Sequence, residues 1–155
     1  MLEMMIAMPL ITALFIVFGV LLCWGVKSYV YMKSDYELVE QIRIPVERIE
    51  RDLQCAEDVK ILTGGLYIYC RNASESPHWV HYYLQNADKA SRKISREEQP
   101  LTGDSRLGDI RITKFVYRIA GNGIVYVEVA GVNLLTNKTY DLHTAVALPG
   151  KGGNL

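Results

Sequence analysis

The first part of the chain is one uninterrupted apolar run, Met4–Val26, in which 23 consecutive residues carry no charge. A helix of that length spans about 35 Å at about 1.5 Å per residue, and the hydrocarbon core of a bilayer is roughly 30 Å thick. A buried globular helix seldom needs so long an uncharged run. A cleaved secretory signal has a basic start, a shorter apolar stretch and a small-residue cleavage site. The pattern therefore predicts a membrane-spanning helix.

After Val26 the apolar spacing changes but remains helical. Apolar residues now recur at alternating spacings of three and four, which places them on one face of a helix. They are Val39, Ile42, Val46, Ile49, Leu53 and Ala56. We interpret this stripe as the face that packs on the chain's own sheet, because a repeat this short, interrupted by Pro45, is poor for a coiled coil.

From Gly64 the pattern becomes that of strands. Aromatic and aliphatic segments separated by turn-forming residues predict strands at 66–71, 79–84, 91–95, 110–119, 124–129 and 139–148. The sequence Gly121-Asn122-Gly123 predicts a hairpin, since Asn-Gly is the strongest short hairpin signal. Together these elements predict an α+β fold, in which a long N-terminal helix packs on an antiparallel sheet of about five or six strands.

The predicted elements divide the chain into four parts. Residues 1–27 form a transmembrane or filament-core helix, and residues 28–60 an amphipathic helix that continues it. Residues 61–149 form the antiparallel sheet domain, and residues 150–155 a flexible, glycine-rich tail.

Charge is strongly segregated along the chain. The 17 lysines and arginines balance the 17 aspartates and glutamates, and all of them except Glu3 lie after residue 26. A neutral balance gives no electrostatic basis for binding nucleic acid. We interpret the one local basic group as a solvated loop rather than a nucleic-acid site; it comprises Lys89, Arg92, Lys93 and Arg96.

The cysteines leave two interpretations open. Cys55 ends the predicted helix and Cys70 ends the first predicted strand, so docking of the helix on the strand brings the two together. A disulfide that closes such a loop stabilises a fold by about 3 kcal/mol and needs an oxidising compartment. The alternative is two buried free thiols. Three cysteines are too few for a four-cysteine zinc site.

No other constellation predicts catalysis. His78 and His81 have a spacing that suits a metal site on a helix, but on a strand an odd spacing points side chains to opposite faces. The sequence has no phosphate-binding glycine loop and no nucleophile elbow. We predict that the protein is not an enzyme and that it uses no metal and no cofactor.

Glu3 is the unusual residue of the apolar segment. An acid at the edge of such a helix either lies in interfacial water without a role or awaits a cation from a neighbouring subunit. The start Leu2-Glu3-Met4 and the apolar run that follows resemble mature type IV prepilins and type II secretion pseudopilins, which open with Phe-Thr-Leu-x-Glu. The order of apolar helix, amphipathic stripe and sheet is similar as well, and Arg51-Asp52-Leu53 resembles the helix end of J-type minor pseudopilins.

The resemblance implies a pilin-like fold and a structural role. The chain would be a minor pilin or pseudopilin of a type IV pilus, a DNA-uptake pseudopilus or a type II secretion pseudopilus, placed in the initiation or tip complex. The implied partners are other pilin or pseudopilin subunits, a prepilin peptidase, an inner-membrane assembly platform and membrane lipid. Glu3 would match the family's assembly acid, which pairs with the N-terminal ammonium of an adjacent subunit.

The resemblance also bears on orientation. Since the first basic residue is Lys27, the positive-inside rule alone places the C-terminal domain in the cytoplasm. The family's basic leader, glycine and Phe-Thr pair are absent before Leu2. Two interpretations stay open: the true start lies upstream of Met1, or the chain is a degenerate member that is never processed. A basic leader would hold the N-terminus inside, so the resemblance implies an extracytoplasmic C-terminal domain on a single-pass chain. The alternative function is a membrane-anchored binding protein with no filament role.

Overall fold

The computed structural model describes residues 2–71, 77–88, 91–102, 110–121 and 123–149, and their side chains except those of 2–6, 86–88 and 91. One α-helix, α1 (Leu2–Gln54), is followed by the strands β1 (Ala56–Leu62), β2 (Gly65–Cys70), β3 (His78–Asp88), β4 (Ser91–Arg96), β5 (Gln99–Pro100), β6 (Ile110–Ile119), β7 (Ile124–Asn133) and β8 (Thr139–Ala147). A long N-terminal helix packed on antiparallel strands confirms the predicted α+β class.

The chain divides into two compact units, Met1–Lys33 and Ser34–Leu155, and the boundary falls inside α1. In the first unit the helix is exposed at almost every position from Ala7 onward. Within the part of the chain that the structure describes, α1 is the one helix long and apolar enough to cross a membrane.

The strands form two sheets rather than the single sheet that was predicted. Strands β1–β5 make a five-stranded antiparallel sheet in chain order, and β6–β8 make a three-stranded antiparallel sheet. Strand β4 contacts β6, so the two sheets are neighbours. The two strands missing from the prediction are β1, which was assigned to the helix, and the two-residue β5.

The hydrophobic core of the second unit lies between α1 and both sheets. The helix contributes a stripe of residues that are each at most 2% exposed: Leu38, Ile42, Val46, Ile49 and Leu53. The sheets contribute alternate residues of their strands, including Leu66, Ile68, Val80, Tyr82, Ile94, Val125, Val127 and Val129. At ~25 cal/mol per Å² of buried apolar surface, this contact is the main term that holds the helix on the sheets.

The predicted stripe is wrong at its two ends. At the first end Leu38 takes the buried position and Val39 is only half-buried, because Leu38 and Ile42 are the side chains that face Gly131 of β7. At the second end α1 stops at Gln54, not near residue 60, and Ala56 begins β1 opposite Cys70. Ala56 is buried as predicted, but as a strand residue.

The predicted hairpin lies between β6 and β7. The Ala120 amide donates to the Ile124 carbonyl at 2.8 Å, and Gly123 adopts a φ of 76°, which favours glycine. Asn122 lies outside the described residues. The bounds of β6, 110–119, are those that the alternation predicted.

Candidate functional site

The first candidate surface is the apolar part of α1 in the first unit. Leu14 and Phe15 are 69% and 71% exposed, and Trp24 is 69% exposed. Soluble monomers rarely expose apolar patches larger than a few hundred Å². By length and apolar composition, this stretch of helix could cross a membrane. Glu3 lies in α1, in the turns where the structure describes the backbone alone.

The second candidate is a polar cluster where α1 ends on the first sheet. The Tyr82 hydroxyl of β3 donates to an Asp52 carboxylate oxygen at 2.6 Å. The Nε of Arg96, on β4, donates to the same oxygen at 3.1 Å and to the Tyr82 hydroxyl at 3.2 Å. The cluster thus joins three elements through one carboxylate. Because Asp52 and Arg96 are both largely shielded from water, salt screens their attraction less than that of a surface ion pair.

Burial and charge fix the protonation states of this cluster. Burial raises the pKa of the Tyr82 hydroxyl, and the hydrogen bond to Asp52 raises it further, so the phenol stays a donor. Burial alone would lower the pKa of the Arg96 guanidinium, but the Asp52 carboxylate and the Tyr82 hydroxyl together raise it by more. Asp52, Tyr82 and Arg96 thus form a mutually hydrogen-bonded set. It joins the end of the helix to β3 and β4.

Cys55 and Cys70, the predicted candidates for a disulfide, both lie in this region as free thiols. Cys55 is exposed, whereas Cys70 is buried and lies opposite Ala56, the neighbour of Cys55. The Cys70 thiol donates to the Asp52 backbone carbonyl across 3.5 Å. Burial raises the pKa of the Cys70 thiol to about 11, and the nearby Asp52 carboxylate contributes to the rise. The structure therefore has one accessible and one inert thiol here, and no disulfide.

A second polar cluster fixes the β7–β8 turn to α1 within the second unit. Asp35 accepts hydrogen bonds from Asn133 at 3.0 Å, from Thr136 at 2.5 Å and from Lys138 at 2.5 Å. The fully buried Asn133 also donates to Ser34 at 2.8 Å. The turn is held at several points, as buried polar groups require.

The histidines do not converge on a metal. His78 and His81 lie on β3, opposite Cys70 and Tyr67 respectively, and so on opposite faces of the sheet. His81 stacks between Tyr67 and Tyr83, with ring centroids 4.1 and 4.8 Å away. Within the described residues no three His, Cys, Asp or Glu side chains are grouped to hold a metal ion.

The local basic group lies on a strand, not on a loop. Arg92, Lys93 and Arg96 belong to β4, and Lys89 lies outside the described residues. Arg96 turns inward to Asp52, while Arg92 is exposed. No local pattern predicts this inward turn of Arg96, because its partner carboxylate lies 44 residues away along the chain.

Comparisons of the chain with protein-family models, with curated proteins and with solved structures find no match.

Proposed function

We propose that the chain is a structural minor subunit, a minor pilin or pseudopilin, of a type IV pilus, a DNA-uptake pseudopilus or a type II secretion pseudopilus. One observation carries the proposal. A single helix, α1, exposes an uncharged apolar surface in the first unit and supplies the core stripe of the α+β unit that follows. A filament subunit needs both properties, since one stretch must be stable in lipid and among neighbouring helices while the other carries a folded unit.

In this proposal the apolar stretch moves from lipid into the filament core. Contacts among neighbouring apolar helices replace the contacts with acyl chains. Glu3 pairs with the N-terminal ammonium of an adjacent subunit, and a pair shielded from water sets the axial register. A prepilin peptidase and an inner-membrane platform act before and during assembly. The α+β unit faces outward, and the chain occupies the initiation or tip complex.

The experiment replaces Glu3 by alanine and by valine in cells that express the full upstream reading frame. We expect both variants to reach the membrane fraction in normal amounts, because each change removes a charge from the edge of an apolar helix. We expect both to be depleted from sheared filaments or from cross-linked subunit complexes. Glu40→Ala, which removes an acid from the same helix within the second unit, is the matched control.

Normal incorporation of both Glu3 variants would contradict the proposal. Mass spectrometry of the native N-terminus gives an independent readout, because prepilin processing predicts a methylated residue two positions before Met1. An unprocessed N-terminus combined with normal incorporation would favour the membrane-anchored binding protein instead.

A further inference from the structure

Three arginines line two neighbouring pockets at the end of α1. Arg48 and Arg51 lie one turn apart on the helix, and Arg96 lies at the end of β4. The first pocket has a volume of about 410 Å³, and its wall also includes Asp52, Cys55, His78 and Glu97. The second has a volume of about 400 Å³, and its wall also includes Ile44, Glu47, Gln99 and Leu101. We call the two together the arginine pocket.

The charges of the arginine pocket are unevenly satisfied. Arg96 is held by Asp52, and Glu47 is held by Arg43 at 3.2 Å. Among the described residues neither Arg48 nor Arg51 takes part in a hydrogen bond or an ion pair. The walls also carry three acids, of which Glu47 and Asp52 are paired and Glu97 has no side-chain partner among the described residues. Two unpaired guanidinium groups therefore outnumber one unpaired carboxylate, and the positive excess favours an anion.

The wall of the pocket also indicates the form of that anion. A guanidinium presents a planar fork of donors that matches a carboxylate, frequently through two parallel hydrogen bonds. Beside the arginines lie the apolar Ile44, which is 50% exposed, and the half-buried Leu101. The turn after β4 forms one rim, and the Glu97 amide fixes it by donating to the His81 carbonyl at 2.7 Å. This combination suits carboxylates carried next to an apolar side chain.

We propose that the arginine pocket binds an acidic peptide segment of a partner protein. Carboxylates of the segment engage Arg48 and Arg51, and an apolar side chain of the segment packs on Ile44 and Leu101. Two pockets that share one wall of arginines offer room for adjacent side chains of an extended segment, and each volume lies within the usual range of ligand sites. The proposal concerns the second unit alone and does not depend on filament assembly.

The test measures binding of a fluorescein-labelled peptide, Glu-Leu-Glu-Asp-Leu, to the full chain in nonionic detergent micelles, by fluorescence anisotropy. We expect saturable binding that weakens as salt is raised. We expect the double variant Arg48→Ala, Arg51→Ala to bind at least tenfold more weakly. Ile44→Ser should bind a few-fold more weakly at a salt concentration where the wild type still binds. The matched control is Arg92→Ala, Arg118→Ala, which removes two arginines that line neither pocket.

Several outcomes would overturn the proposal. One is the absence of saturable binding to the wild type. Another is an equal loss of affinity in the control double variant, which would indicate nonspecific attraction. A third is equal occupancy by citrate or inorganic phosphate at the peptide's own concentration, which would indicate a small-anion site. Thermal unfolding of each variant verifies that the second unit is folded, and Arg51→Lys, which keeps the charge but loses the fork, gives a second measure if alanine destabilises the fold.

Discussion

At the scale of single residues, Tyr82 shows what the buried polar cluster contributes to stability. Its side chain is fully buried, and its hydroxyl donates to Asp52 while accepting from Arg96. We expect Tyr82→Phe to lower the free energy of unfolding by about 1.5–3 kcal/mol, the usual worth of a hydrogen bond to a charged group. Urea denaturation in detergent micelles, followed by near-UV circular dichroism, measures the change. Tyr83→Phe, on the opposite face of β3, should cost less than ~0.5 kcal/mol. Equal losses in the two variants would contradict this role.

The two thiols near the same cluster should differ sharply in reactivity. At pH 8 we expect iodoacetamide to modify Cys55 rapidly and to leave Cys70 unmodified, because Cys70 is buried and its thiol has a pKa of about 11. Peptide mapping by mass spectrometry before and after unfolding in urea distinguishes them. Recovery of a linked peptide under non-reducing conditions would instead show that the disulfide forms.

The raised pKa of Cys70 also predicts how stability depends on alkaline pH. The folded thiol keeps its proton up to about pH 11, whereas the ordinary value is 9.0. Its contribution is therefore complete below pH 9 and is lost as the pH rises from 9 to 11, since the unfolded chain then binds fewer protons. The raised pKa of the Tyr82 hydroxyl also lowers the free energy of unfolding as the pH rises. We expect the free energy of unfolding to fall over this range, and to fall less steeply in Cys70→Ala. Identical slopes for the wild type and the variant would exclude a contribution from this thiol.

At the scale of elements, the docking of α1 on the sheets depends on one face of the helix. Ile42 is fully buried, whereas Ile44, two residues along, is 50% exposed. We expect Ile42→Ala to lower the free energy of unfolding by about 2–5 kcal/mol, because it removes buried methyl groups and leaves a cavity. Ile44→Ala makes the same chemical change on the solvent-exposed side of the helix, and it should lower the free energy of unfolding by less than ~0.5 kcal/mol. Urea denaturation of the two variants side by side measures this difference, and similar costs would contradict the observed face.

The elements also show where sequence reasoning succeeds and where it fails. The helical stripe, the hairpin and most strands follow from local periodicity, which the sequence displays directly. Strand β1 cannot be predicted in this way, because Ala56 and Val59 continue the helical spacing of apolar residues beyond Leu53. On a regular strand that odd spacing would point them to opposite faces, yet both are buried. A bulge between Ala56 and Asp58 shifts the register and returns Val59 to the core.

A second bulge has the same effect on β6. It lies between Ile112 and Lys114, and because of it Phe115 and Tyr117 lie on the same core-facing side of the sheet as Ile112. A bulge depends on the partner strand, so a single sequence does not reveal it. The partners of Asp52 and the residues that line the arginine pocket cannot be predicted from one sequence either. They come from segments that lie far apart along the chain.

At the scale of the whole molecule, the filament proposal predicts which side of the membrane carries the second unit. The basic residues from Lys27 onward favour the cytoplasm under the positive-inside rule, whereas the proposed filament role requires the outside. The structure provides a natural reporter, because Cys55 is exposed on the second unit while Cys70 is buried. The remaining cysteine, Cys23, lies within the apolar run that lipid or neighbouring helices should cover.

We expect a membrane-impermeant maleimide to label the chain in intact spheroplasts that express the full upstream reading frame. The label should map to Cys55, and Cys55→Ser should abolish it, which excludes Cys23 and Cys70 as the source. Labelling that appears only after the membrane is permeabilised would place the second unit in the cytoplasm. That result would contradict the proposed role of Glu3 in filament assembly, since pilus subunits carry their folded units outside the membrane. The same reagent thus decides the orientation and tests a condition that the filament proposal must meet.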